Sequence, residues 1–419
     1  MTPPRSHRIT TAHLQAAYPF QSEGGIGASG VYVGRDLFGG SFLYDPWELY
    51  GAGVIANPNM VVGGQVGYGK SSLLKTYVWR QQVFGRHAFV VSPKPHEYDP
   101  LAAALGTAPV RIAPGSPVRL NPLDGGPGGD DPPDVVQQRR EELLLSLAEA
   151  AVKRPLEPEE TTACGLALSR AARGAGDRPP VLPGVVEALL WPEARDAEEI
   201  AASRERLAGD GRQVGLALRR MVTGDLRGMF DGPTTPGVSL DGPVTVLDLS
   251  ALFDSDALGI LMACATAWLQ AALARRDGRH RIVVVDEAWA ILSSPGIARW
   301  LRQSFKLSRS YGVQNVAVVH RLSDLSAAGA RGSHTVALAE GLLEDTETRV
   351  VLNQPHGQLE RATTLLGLSD VEAAELPHLP RGRALWKVGS RSFLVDHLVS
   401  AAERALIDTD AAMAGRALA

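Results

Sequence analysis

Residues 64–71, Gly-Gln-Val-Gly-Tyr-Gly-Lys-Ser, constrain this chain more than any other stretch. Their pattern, GxxxxGK[ST], works only where a strand delivers the chain into a loop and a helix leaves it. Both flanks fit. NPNMVVGG reads as a short buried strand entering the loop. SSLLKTYVWRQQVFG carries apolar residues at helical spacing, with Gly85 where a helix should stop. The physical content is a cradle for an anion, because loop N–H groups and the positive end of the helix dipole face one point. Gly67 and Gly69 let the backbone curl and approach that anion closely.

Read as a nucleotide site, the loop comprises Gly64, Gln65, Val66, Gly67, Tyr68, Gly69, Lys70, Ser71 and Ser72. Lys70 is expected to reach the β and γ phosphates of ATP, and Ser71 to ligate Mg2+. Ser72 is expected to offer its N–H to the α-phosphate. A second signal, Ile282-Val-Val-Val-Asp286-Glu287, is an apolar run ending in two acids. It describes a buried strand whose carboxyl end opens into the site, where ligands of open α/β sheets bind. Asp286 is expected to hold Mg2+ through water, and Glu287 to polarise the attacking water. The strand Val313 to His320 places His320 to touch the γ-phosphate. An arginine acting across a subunit interface would stabilise the transferring phosphoryl group. Arg349, in DTETRVVLNQ, is the first choice, with Arg302 and Arg309 as the others.

Strand, helix and strand recur along the chain (HAFVVS, PVRIAPG, PVTVLDLS), so a mainly parallel α/β sheet with crossover helices is expected. The expected divisions are a β-rich segment over 1–54 that packs on the motor and a first part of the main domain over 55–125. A helical insertion over 126–232, a second part of the main domain over 233–400 and a tail over 401–419 follow. The insertion carries Arg204, Arg206, Arg212, Arg219, Arg220 and Arg227, interleaved with acids and without aromatic platforms. A solvated helical face is the reading favoured over a nucleic-acid surface.

With 42 basic and 46 acidic residues the formal charge is −4, which argues against coating nucleic acid by bulk charge; DNA stays a candidate partner through a local stripe or a pore. Cys164 and Cys264 form no CxxC pair, so neither a zinc site nor a disulfide framework is expected. The opening residues MTPPRSHRITTAHLQ do not read as a signal peptide. The apolar run from Leu258 to Ala274 contains Gln270 and is short for a membrane span, so it reads as a buried helix and no transmembrane segment is expected.

The motifs together resemble the C-terminal motor domain of VirB-type traffic ATPases of type IV secretion and conjugation systems, within the FtsK/HerA superfamily of RecA-like P-loop motors. NPNMVVGGQVGYGKSSLLK, VVSPKPHEYDPLAAALG, VTVLDLS, VVVDEAWAIL and FKLSRSYGVQNVAVVHRLSDL carry the likeness. It implies a RecA-like P-loop NTPase fold that uses ATP and Mg2+ for hydrolysis to ADP and phosphate. It implies a homo-oligomer, often a hexameric ring, with ATP between subunits. The work implied is transport of DNA or protein, or assembly of the transport complex. Such a chain is cytoplasmic and reaches the inner face of the membrane through partner proteins of a secretion complex. A DNA translocase of the HerA or FtsK kind, and an ATP-dependent scaffold with little turnover, are the alternatives. The chain departs from the family where Ser92-Pro-Lys-Pro-His-Glu97-Tyr98 replaces DPKGEY, where His320 replaces glutamine, and where about 50 residues precede the motor instead of a large N-terminal domain.

Overall fold

In a computed structural model, eleven strands join in one sheet. The structure describes residues 25–124 (without 28 and 39), 132–236, 242–252, 278–288, 305–319, 345–359 and 366–408, together with Val238, Cys264, Gly341, Leu343 and Thr363. The strands are β1 (Val31–Asp36), β2 (Gly40–Tyr44), β3 (Met60–Gly63), β4 (His87–Ser92), β5 (Val110–Arg111) and β6 (Val244–Asp248). They continue with β7 (Arg281–Val285), β8 (Val313–Val319), β9 (Thr348–Val351), β10 (Arg383–Val388) and β11 (Arg391–His397). Their order is β2-β1-β11-β10-β9-β3-β8-β7-β4-β6-β5.

From β9 to β5 every pairing is parallel. From β9 to β2 every pairing is antiparallel. The sheet is therefore mixed and mostly parallel, as the α/β patterning predicts. The central parallel strands are buried and mostly apolar because both faces are covered. Alternate residues divide between two cores. Val61, Phe89, Val283 and Ala317 meet one that includes Leu144, Leu168 and Leu218 of the helical insertion. Val62, Val90, Val284 and Val318 meet the other, with Leu74 and Val78 of the helix Lys70–Gln81.

Three elements differ from the sequence expectation. The segment read as strands over 1–54 also holds a helix, Pro46–Gly51. It starts there because Asp45 accepts from the N–H groups of Trp47 and Glu48 and Pro46 has its φ pre-set for a first turn. PVRIAPGSPVRLNPLD contributes only the two-residue β5. The sequence of the insertion reads as helix interrupted over RGAGDRPPVLPG, residues 173–184; the break spans only residues 176–181, because one helix runs Pro158–Ala175 and the next begins at Leu182 with proline in its first turn. The Leu258–Ala274 helix lies outside the described residues except for Cys264, which is helical and buried. Among the described residues no helix is long and apolar enough to cross a membrane.

β1 and β11 meet closely at a glycine. A Cβ on Gly34 would stand 1.9 Å from the carbonyl oxygen of Asp396 on β11. Gly34→Ala is expected to push β1 off β11 and cost about 3 kcal/mol of stability. Chemical denaturation would show it as a lower midpoint; an unchanged midpoint would mean the hairpin is not integral to the fold.

Candidate nucleotide site

The Gly64–Ser72 loop leaves the carboxyl end of β3 and enters the helix Lys70–Gln81 at its first residue. Its glycines are used as glycines. Gly64, Gly67 and Gly69 have φ of 154°, 86° and 105°. A Cβ on Gly64 would lie 2.7 Å from the Leu352 Cβ, whereas one on Gly67 would meet nothing within 4 Å. Gly64 thus allows close packing on the strand beside it, and Gly67 allows the turn itself.

The loop is braced by the segment after β9. Gly63 accepts from the Leu352 N–H at 2.8 Å, and Gln65 donates its N–H to the Asn353 carbonyl at 2.9 Å. Gly382 donates to the Tyr68 carbonyl at 3.0 Å. Asn353 is itself fixed, its amide donating to the carbonyls of Pro377 and Leu379. The Lys70 ammonium lies inside the loop, buried, and donates to the carbonyls of Gly64 and, at 3.1 Å, Gln65. Ser71 and Ser72 are half-buried in the first helical turn, while Gln65, Val66 and Gly67 are exposed.

β8 is the only strand between β3 and β7, so the loop and the Asp286-Glu287 pair emerge along one edge of the sheet. Asp286 and Glu287 are 1% and 2% exposed, which for carboxylates demands partners. The Lys94 ammonium provides one to both. It stands 3.3 Å from Asp286 Oδ2 and 2.9 Å from Glu287 Oε1. Burial raises the Asp286 pKa above the usual carboxylate value; Lys94 opposes this and the Glu287 charge adds to it. Burial also works against the Lys94 charge, but Asp286 and Glu287 outweigh it and hold its pKa above the ordinary lysine value. Glu287 has φ 55°, a left-handed backbone that non-glycine residues rarely adopt, and this turns its side chain out of the strand alternation.

Behind this pair lies a second one that composition and motif matching did not bring out. Lys75, on the helix after the loop, is fully buried and stands 2.8 Å from Glu97 Oε1. Its ammonium also faces the Tyr98 ring at 5.7 Å. Burial lowers the Lys75 pKa, with Glu97 opposing. Lys75 and Lys94 therefore connect the loop after β4 both to the loop's own helix and to the carboxylates of β7.

The remaining expected residues fall elsewhere. His320, one residue past β8, lies outside the described residues, as does Arg302. Arg349 sits on β9 inside the sheet, opposite Val61 and Lys387. It donates to the carbonyls of Leu343 at 3.0 Å and Leu366 at 3.1 Å within its own chain. Burial lowers its pKa. Arg309 is exposed at the helical turn before β8. In the insertion, Arg206 faces Asp210 and Arg220 pairs with Asp225 at 2.8 Å, the local pairing expected of a solvated helical face.

The residues present suit a nucleotide with Mg2+: an open glycine turn at a helix N-terminus, a serine in the first turn, and a buried aspartate at the same sheet edge.

No family model and no curated protein matches the chain. Solved structures do. VirB4 of Thermoanaerobacter pseudethanolicus superposes with a TM-score of 0.71 at 23% identity, over 91% of this chain and 100% of that one. The bacterial conjugative coupling protein TrwB, in an unbound form, gives a TM-score of 0.57 at 17% identity, over 82% of this chain and 85% of that one. TrwB in complex with ADP and Mg2+ gives 0.55 at 17% identity, over 82% and 86%. The chain has the RecA-like fold that VirB4 and TrwB share.

Proposed function

We propose that this chain is an ATP-hydrolysing motor of the type IV secretion and conjugation kind. The observation that carries the reading is the meeting, at one sheet edge, of the Gly64–Ser72 loop with the buried Asp286-Glu287 pair, in a fold shared with VirB4 and TrwB. The complex of TrwB with ADP and Mg2+ adds support for the ligand class.

In this reading, the loop N–H groups and the helix N-terminus bind the phosphates, and Lys70 neutralises the β and γ oxygens. Ser71 and Asp286 hold Mg2+, which when bound neutralises phosphate charge and helps orient the leaving group. Glu287 accepts the proton of the attacking water, so that ATP and water give ADP and phosphate. Residues 55–125 and 233–400 form the motor, 126–232 the helical insertion, with 1–54 packed on the motor and 401–419 as a tail. An interface arginine is assigned to Arg309 in preference to Arg349, whose guanidinium already serves two carbonyls of its own chain. Assembly into a homo-oligomer, membrane access through partner proteins and a cytoplasmic location belong to the same proposal.

The test is phosphate release by the purified chain with ATP and Mg2+, with and without single- and double-stranded DNA. Lys70→Ala, which removes the cation from the loop, is expected to abolish tight ATP binding and release together. Release that DNA leaves unchanged supports the secretion kind of motor. Release that DNA stimulates with steep salt dependence moves the load to DNA. ATP binding by the parent without any release would overturn the motor reading.

A further inference from the structure

The loop after β4 contains an unusually constrained lysine. Lys94 stands between Pro93 and Pro95, directly after the buried strand end Ser92. Proline fixes its own φ, and the residue before proline is driven to extended backbone. The Ser92 hydroxyl accepts from the Lys94 N–H at 3.2 Å, which closes the turn on itself. Glu97, four residues from Pro93, is held to Lys75 of the loop's helix at 2.8 Å. The main chain that carries Lys94 is therefore fixed from both sides, and a flexible side chain is delivered from a rigid base. Its ammonium ends 2.9 Å from Glu287 Oε1 and within 3.4 Å of both Asp286 oxygens. Glu287 leaves β7 in left-handed backbone, so strand geometry alone does not set its direction.

We propose that Lys94 is the positioning residue for Glu287, fixing where the carboxylate lies at the sheet edge while leaving the phosphate-binding loop alone. The inference rests on the reading of Glu287 as the proton acceptor. It follows from two separations in the structure. Lys94 contacts the β7 carboxylates, whereas Lys70 is held by loop carbonyls on β3's side of β8. Ser92, which stands where the family carries aspartate, adds only a long contact of 3.5 Å to Asp286. Lys94, two residues on, supplies the charge.

A charge-assisted contact of this kind has a kinetic signature distinct from structural support. Lys94→Met keeps the length and apolar stem of the side chain and removes the charge. The expected result is a 10- to 100-fold lower kcat, on the order expected of lost orientation, with KM for ATP and affinity for a non-hydrolysable ATP analogue within about threefold. Lys94→Arg, which restores the charge, is expected to recover part of kcat. In a Glu287→Gln background Lys94→Met should add nothing, because the residue it positions no longer accepts a proton. Melting temperature and analogue binding are measured beside the kinetics on the full chain. Full activity of Lys94→Met beside an inactive Glu287→Gln would overturn the positioning role and leave the motor reading intact. Full activity of Glu287→Gln would overturn the motor's assigned base instead. Equal loss of analogue binding and kcat in Lys94→Met, with a lower melting temperature and no recovery by arginine, would make Lys94 a structural ion pair and also defeat the proposal.

Discussion

Glu287→Gln is expected to release phosphate about 10^2–10^4-fold more slowly than the parent chain while binding ATP as tightly. Glutamine preserves the size of the side chain and can still accept a hydrogen bond, but it does not take a proton from water near neutral pH. Its place in the fold predicts that the loss falls on chemistry alone. The proposed phosphate cradle is built by β3, its loop and the helix Lys70–Gln81, and it is braced by Leu352, Asn353 and Gly382. Glu287 follows a different strand, β7, which is separated from β3 by β8. It is 2% exposed and its backbone has φ 55°. Maintaining a buried carboxylate in left-handed backbone costs about 1–3 kcal/mol for the conformation alone, a cost that proteins tend to tolerate where a side chain must be aimed. Single-turnover phosphate release, with analogue binding measured in parallel, separates the cases. Unchanged release would remove Glu287 from its assigned role. Joint loss of binding and release would reassign it to holding the edge of β7 together.

The local features of this site were legible because each is written in consecutive residues. A GxxxxGK[ST] loop between a buried strand and a helix, and an apolar strand ending in Asp286-Glu287, need no knowledge of distant neighbours. The mostly parallel sheet follows from the same alternation. What sequence patterning did not carry is pairing between distant segments. The register that sets β1 on β11 joins Gly34 to His397, and no local signal encodes it. Arg349 illustrates the same limit. An arginine near the start of an apolar run looks available for an interface, but β9 is an interior strand and the guanidinium is taken by Leu343 and Leu366. Lys94 had a readable signal that pointed to the wrong residue. Ser92 in place of aspartate is the visible departure in this stretch, whereas the lysine locked between two prolines at the strand end is the residue with reach. Lys75 was hidden differently: at helical spacing it sits among apolar residues, and only its fully buried contact with Glu97 shows that it faces inward.

Arg80→Met is expected to lower stability by about 1–3 kcal/mol, the cost of removing the charged donor from a half-buried ion pair and its carbonyl partners, and to flatten the loss of stability in acid. Arg80 stands near the end of the helix that begins at Lys70, and it ties three parts of the chain to that helix. Its Nε and one Nη meet Glu403 at 2.6 and 2.8 Å. The other donors go to the carbonyls of Tyr32 and Val33 on β1 and of Leu398 after β11. Burial works against the Glu403 charge, but Arg80 and the Ser400 contacts outweigh it and bring its pKa down to about 2. A carboxylate depressed in the fold stabilises above its unfolded pKa, and that stability is lost as pH falls from about 4.5 toward 2. His397 adds a second window at milder pH. It is half-buried with its ring nitrogen 2.7 Å from the Thr76 hydroxyl, and desolvation, then Arg80, lowers its pKa to about 4. The unfolded chain takes up this proton first, so stability falls between about pH 6.5 and 4. Because Arg80 contributes to both shifts, its removal moves both pKa values back toward their ordinary positions. Melting temperatures from pH 7 to 3 should therefore start lower in Arg80→Met and decline less steeply than in the parent. His397→Asn should remove only the upper part of the decline. Parallel curves for parent and Arg80→Met would show that the acid sensitivity arises elsewhere, and that the junction of β1, β11 and the nucleotide-loop helix does not depend on this arginine.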